Sequence, residues 1–252
     1  MLLVNHCLCL GSCLGSYIEG VRVKTIGMIG GMSWESTVSY YKALNEGVKQ
    51  NLGGLHSAKI ALVSVDFAEI ERLQHSGEWG KTADILSDAA VSVEAAGADF
   101  FMICTNTMHK VADEISAKVS IPLLHIADAT AEQLVSDGVK KVGLLGTQFT
   151  MEQEFYRGRL TDRFGIEVVI PDSAQRERVH QIIYEELCQG QVNTTSREAY
   201  LAIIQDLQAQ GAEAVILGCT EIALLVSQQD TEVPLYDTTE IHAKAAVQLA
   251  LS

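Results

Sequence analysis

The sequence predicts an α/β protein made of two copies of one parallel-sheet unit, with its site in the cleft between the copies. Three observations predict this: an internal repeat, short apolar runs alternating with helical patterns, and glycine punctuation after the runs. Lys24-Thr25-Ile26-Gly27-Met28-Ile29-Gly30 is echoed 116 residues later by Lys140-Lys141-Val142-Gly143-Leu144-Leu145-Gly146. Gly97-Ala98-Asp99 returns after 114 residues as Gly211-Ala212-Glu213, and Ile121-Pro122-Leu123 after 112 as Val233-Pro234-Leu235. Three anchors in one order at nearly one spacing indicate duplication.

The elements follow in order. Ile26 to Ile29 is a short strand closed by Gly30-Gly31. The helix after it carries Val38, Tyr41, Leu44 and Val48 at three- and four-residue spacing and stops before Gly53-Gly54. Ile60 to Val65 is a strand, Lys81 to Ala96 a helix ended by Gly97, and Phe100 to Cys104 a strand. An unbroken apolar run of that length suits a parallel sheet covered on both faces. The second copy has strands at Val142 to Leu145, Val168 to Ile170 and Ala214 to Leu217. It has a helix over Met151 to Phe164 and further helices within Arg176 to Gln210. The expected domains are residues 23–121 with 236–252 as the first α/β domain and 122–235 as the second.

The chain has 252 residues, is 48% hydrophobic and has a net charge of −14, so a sizeable core is available. The acidity argues against partners that are nucleic acids or anionic membranes, which need Lys/Arg clusters. No apolar run approaches the roughly 18 residues that span a bilayer. Six cysteines, three of them within the first thirteen residues, do not form a disulfide framework, and a cytoplasmic setting is expected. Residues 1–22 differ in kind and are read as an unstructured extension. Leu10-Gly11-Ser12-Cys13 looks like a lipoprotein cleavage box without a basic start, and His6 with Cys7, Cys9 and Cys13 fits no common zinc spacing.

Ligands of such sheets bind beyond the carboxyl ends of the strands. The 114-residue offset pairs Cys104 with Gly218, Thr105 with Cys219, Asn106 with Thr220 and Thr107 with Glu221. Cys219 is therefore the counterpart of Thr105, and the alternation of an extended strand turns Cys104 the other way, into packing. Cys219 precedes a helix start, where backbone N–H groups lower a thiol's pKa. A thiol and a hydroxyl at symmetry-equivalent positions give a site two faces, which suits removal of a proton from one side of an α-carbon and its return from the other. Asn106, Thr107 and Thr220 offer amide and hydroxyl donors to a carboxylate, or serve as helix caps. Gly30-Gly31-Met32-Ser33 lets the backbone approach a ligand but does not fit G-x-G-x-x-G, so a nicotinamide cofactor has little support.

Met28-Ile29-Gly30-Gly31-Met32-Ser33, Cys104-Thr105-Asn106-Thr107-Met108-His109 and Gly218-Cys219-Thr220-Glu221 together resemble the aspartate/glutamate racemase family, in particular its broad-specificity amino-acid racemase branch. The resemblance begins at Val23 and runs to the C-terminus. It implies two pseudo-symmetric Rossmann-like domains and a homodimer. It also implies racemisation of L-glutamate or L-aspartate to the D-isomer with no cofactor and no metal. The catalytic pair it implies is Cys219 and Thr105, with Met32, Gln74, Asn106, Thr107, Thr220 and Arg178 against the substrate. The family's first cysteine is replaced here by Thr105, so the two faces are chemically unequal and the L-isomer is the expected substrate. The family's lysine position aligns near Glu177, whose neighbours Arg176 and Arg178 are the nearest replacements, Arg178 being favoured; Arg72 is the runner-up to Gln74. His109 matches a family position and either tunes the site or packs and caps its helix, His242 has no motif support, and Cys188 is read as structural. The competing reading is a two-lobed small-molecule binder, or a related cysteine-based isomerase, that has lost racemisation with its first thiol.

Overall fold

A computed structural model describes residues 22–252; the expectations for residues 1–21, including Cys7, Cys9 and Cys13, lie outside them. The first copy runs β1 (Thr25–Gly30), α1 (Trp34–Leu52), β2 (Lys59–Ser64), α2 (Phe67–His75), α3 (Trp79–Ala95) and β3 (Phe100–Ile103). A 3-10 turn at Thr107–Val111 leads into the short α4 (Ala112–Ser116), and then comes α5 (Ile126–Ser136). The second copy opens with β4 (Lys141–Gly146), α6 (Gln148–Glu152), α7 (Glu154–Phe164), β5 (Glu167–Val169) and α8 (Ser173–Gln181). It continues with α9 (Thr194–Ala209), β6 (Ala214–Gly218), α10 (Ile222–Leu225), β7 (Leu235–Asp237) and α11 (Thr238–Leu251). The strands form two parallel sheets, ordered β2-β1-β3 and β5-β4-β6-β7.

The duplication extends to single hydrogen bonds. Ile29 lies opposite Ile103 in the first sheet, and Leu145 lies opposite Leu217 in the second. Phe101 N–H donates to Pro122 O as Val215 N–H does to Pro234 O, and Asp99 N–H to Thr25 O as Glu213 N–H to Lys141 O. Residue 105 and residue 219 therefore leave matching strands at matching heights.

Side-chain alternation divides the first core in two. Phe100, Met102 and Cys104 pack with Ile26, Met28, Tyr40 and Leu44 under α1 and α11. Phe101 and Ile103 face the other way, onto Leu86, Ala90 and Val93 of α3. Cys104 is thus wholly buried away from the strand end, as the alternation requires. Each large apolar side chain so buried contributes about 1.5–3 kcal/mol.

Two sequence expectations are corrected. The buried stripe of α1 is Tyr40, Leu44 and Val48, while Val38 and Tyr41 are 55% and 53% exposed. A strict four-residue spacing is one path along a helical face, and Tyr40 wins the inward position because its hydroxyl finds His242 Nδ1 at 3.0 Å. The single helix expected over Met151 to Phe164 is two, because Gln153 is extended (φ −94°, ψ 150°) and ends α6 before α7 begins.

Strand pairing continues two residues past each expected domain limit: Leu123 bridges Phe101 in the first sheet, and β7 reaches Asp237 in the second. After those points the chain crosses over. Helix α5 joins the second core through Ile126, Ala127, Ala131 and Leu134, and α11 packs back on α1. No helix among the described residues is long and apolar enough to cross a membrane.

Candidate active site

The carboxyl ends of β1, β3, β4 and β6 converge on one cavity, with about 350 Å³ of space between its atoms. The first copy supplies Met32, Phe67, Gln74, Thr105, Asn106 and Thr107; the second supplies Thr147, Ile183, Tyr184, Cys188, Gly218, Cys219 and Glu221. Gly31 makes the β1 corner possible. At φ +93° its backbone suits glycine, and a Cβ there would stand 2.1 Å from Val65 O.

Glu221 is the centre of the polar network. It is 5% exposed, yet its carboxylate accepts from Ser33 Oγ at 2.5 Å, Cys219 Sγ at 2.9 Å and Thr220 Oγ1 at 2.7 Å. Ser33 comes from the first copy and Cys219 from the second, so this carboxylate also ties the two together. Thr107 Oγ1 to Thr147 Oγ1 at 3.0 Å and Tyr184 OH to Gln74 Oε1 at 3.2 Å are two further ties around the cavity.

The opposite corner is held by histidines. His109 Nδ1 donates to Thr105 O at 2.8 Å, so its Nε2 is the acceptor for the Ile126 N–H at 3.3 Å. The same logic makes His242 Nε2 the donor to Leu124 O at 2.8 Å and leaves Nδ1 to accept from Tyr40. Burial, and then His125 and His242, push His109 well below the ordinary histidine range. Burial takes His242 down to about 4, and burial with Arg159 nearby takes His125 down to about 2. All three rings are neutral in the fold, with fixed tautomers at His109 and His242.

A parallel double-wound sheet pair with a thiol and a hydroxyl at equivalent strand ends is now joined by a direct family match. The Asp/Glu/hydantoin racemase family model covers residues 29–246. The chain belongs to the Asp/Glu/hydantoin racemase family. Its relatives include the broad-specificity amino-acid racemase RacX of Bacillus subtilis (strain 168), 29% identical over 165 residues that cover 66% of this chain and 70% of RacX. A candidate Asp/Glu racemase from Yersinia pestis is 60% identical, with a TM-score of 0.86 over 91% of this chain and 100% of that one. An aspartate racemase homologue from Pyrococcus horikoshii OT3 is 36% identical, with a TM-score of 0.79 over 91% of this chain and 100% of the other. Glutamate racemase from Francisella tularensis, in complex with D-glutamate, shares the fold at 16% identity and a TM-score of 0.67, over 90% of this chain and 81% of the other.

Among the expected site residues of this racemase, Met32, Gln74, Thr105, Asn106, Thr107 and Cys219 line the cavity. Thr220 does not; its hydroxyl is taken by Glu221. Arg178 is a correction. It is exposed on α8 and does not line the cavity, because its neighbour Val179 takes the core-facing direction and one helical step turns Arg178 away. Arg176 is held by Glu152 at 2.8 Å, and Arg72 is exposed beside Glu78. Asn106 Nδ2 gives one of its two N–H groups to Thr238 Oγ1 at 3.0 Å, and its Oδ1 is buried without a partner.

The state of the Cys219 thiol is another correction. A lowered pKa was expected from a helix start, but α10 spans only Ile222–Leu225. Burial, followed by the Glu221 carboxylate, pushes this thiol well above its ordinary value. The sequence reading also passed over Glu221, Thr147, Tyr184 and Cys188 as lining groups. Glu221 was within reach of the offset, which pairs it with Thr107; Thr147 follows Gly146 as Gly31 follows Gly30. Ile183 and Tyr184 reach the cavity together from a π-helical turn, Ile182–Glu186, which no sequence period announces. Among the described residues no three His, Cys, Asp or Glu side chains converge as a metal site.

Proposed function

We propose that this racemase inverts the α-carbon of an L-amino acid without a cofactor, with Cys219 and Thr105 acting on opposite faces. The observation that carries the reading is a thiol and a hydroxyl lining one cavity from equivalent strand ends, with a buried carboxylate 2.9 Å from the thiol. Glu221 takes the thiol proton. The thiolate then removes the α-proton, and the Cα–H bond breaks with its electron pair left on carbon. Thr105 delivers its hydroxyl proton to the other face and is resupplied in the same step by a water molecule. The proton stored on Glu221 neutralises the hydroxide so formed, and the cycle closes. The geometry that supports Glu221 as acceptor is its carboxylate oxygen 2.9 Å from the thiol, the transfer being uphill because burial and that same charge raise the thiol's pKa. The product is the D-isomer, and the L-isomer is the preferred substrate because only one corner carries a thiol.

Incubation with L-amino acids in heavy water tests this. Deuterium is expected at Cα, with at least about a thousandfold loss in Cys219→Ala. Equal saturating initial rates from the two enantiomers would overturn the asymmetric scheme, the low-concentration rates of racemisation being equal in any racemase because the equilibrium constant is one. Tight binding with no exchange would instead support the two-lobed binder.

A further inference from the structure

Resting on that racemase reading, we propose that the substrate carries an uncharged side chain, with its α-ammonium group held between Glu221 and Asn106. Among the buried side-chain polar atoms of the lining residues, the one without a partner is an acceptor, Asn106 Oδ1. Thr238 Oγ1 donates to Leu217 O at 2.9 Å, so it must accept from the Asn106 amide nitrogen at 3.0 Å. That chain fixes which way the amide points and leaves Oδ1 as a buried acceptor with no partner, in a residue 2% exposed. The Glu221 carboxylate is the other acceptor, and its own neighbours are all neutral hydroxyl and thiol groups. Two acceptors, one of them anionic, suit an ammonium group.

Nothing in the lining offers a positive charge to a second carboxylate. Among the described residues the cationic side chains nearest in sequence to the cavity are placed elsewhere. Arg72 is exposed beside Glu78, Lys110 sits 3.9 Å over the Trp79 ring, Arg176 is on Glu152 and Arg178 is exposed. An acidic side chain would bring a second anion beside Glu221 in a closed space, with no cation to offset it. The remaining lining is apolar or neutral. Gln74, 3% exposed, gives its amide N–H to the Met108 thioether, a weak acceptor, and its carbonyl to the Tyr184 hydroxyl. Gln74 and Tyr184 can therefore meet an amide or hydroxyl, or border an aliphatic chain.

The test is initial-rate Cα–H exchange in heavy water with the full chain, comparing L-glutamine, L-asparagine and L-methionine against L-glutamate, L-aspartate and L-lysine. At least a tenfold higher kcat/KM is expected for the best uncharged substrate. Faster exchange on L-glutamate, L-aspartate or L-lysine, lost in Cys219→Ala, overturns the proposal and leaves the racemase reading intact. Exchange on none of the six overturns both. Gln74→Arg adds a cation to the lining and is expected to shift the glutamate-to-glutamine ratio at least tenfold towards glutamate. An unchanged ratio in the folded variant removes Gln74 from the side-chain contact.

Discussion

Two corners of this racemase have the same backbone and different chemistry. After β6 the chain reads Gly218-Cys219-Thr220-Glu221, and the thiol donates to a carboxylate 2.9 Å away. After β3 it reads Cys104-Thr105-Asn106-Thr107, where Thr107 stands in place of Glu221 and bonds to Thr147 instead. In exchange, the Thr105 corner is tied through its carbonyl to a neutral buried histidine, and the Cys219 corner has no such tie. Duplication thus supplied two equivalent positions, one now carrying a thiol beside a carboxylate and the other a hydroxyl on a backbone held by histidine.

After loss of the thiol itself, the largest expected effect comes from removing the charge beside it. Glu221→Gln keeps the shape and loses the charge, so exchange from the L-isomer should fall about a hundredfold or more, with circular dichroism unchanged. A fall of less than threefold would mean that Glu221 only ties the two copies together. Making the corners alike is the second lever. Thr105→Cys should raise exchange from the D-isomer about tenfold and narrow the difference between enantiomers, read as initial rates from each.

The histidines behind Thr105 give a third contrast. Their folded pKa values lie below the ordinary 6.5, at about 4 for His242 and about 2 for His125, because burial disfavours the charged ring. The unfolded chain then binds more protons between pH 6.5 and 4, so stability is full above about 6.5 and is lost as the pH falls. Each such histidine contributes a slope of about 1.4 kcal/mol per pH unit in that window. Urea midpoints at pH 7.5 and 5.5 should therefore differ, and His242→Gln should flatten the difference. A midpoint independent of pH would show the rings are charged in the fold. The smallest effect is expected at Arg178→Gln, whose rates should stay within about twofold of the parent, as for a surface change away from the chemistry. A large loss of L-glutamate exchange there would restore it as a side-chain anchor.

Pairing Thr105 with Cys219 was open to sequence reading because duplication leaves a numerical offset, and strand alternation separated Thr105 from Cys104. What the offset could not convey was environment. The thiol's proton affinity depends on burial and on a carboxylate two residues on, and a four-residue α10 is too short to oppose either. The free end of Asn106 depends on Thr238, 132 residues distant, whose hydroxyl is committed in turn to Leu217. Val38 and Tyr41 fitted a helical stripe as well as Tyr40 did, and only the His242 partner decides which face turns inward. Arg178 was chosen for its charge at a suitable position, and a helical step of 100° was enough to remove it from the cavity.

The chain passes between its two cores twice, before α5 and before α11, and His242 on α11 holds the carbonyl of Leu124 at the other passage. Those passages form a spine that a covalent backbone cannot unfasten. The ties from Ser33 to Glu221, Thr107 to Thr147 and Gln74 to Tyr184 are single hydrogen bonds, free to break and re-form as a substrate enters. Asn106 bonds to Thr238, the first residue of α11, and so belongs to the spine. On the proposed ammonium site, an arriving amino acid would meet Asn106 on the side of the spine, while Gln74 and Tyr184 belong to a tie between the copies. Discrimination among side chains would then be exercised as that tie re-forms, in the rate of commitment to chemistry more than in the first encounter.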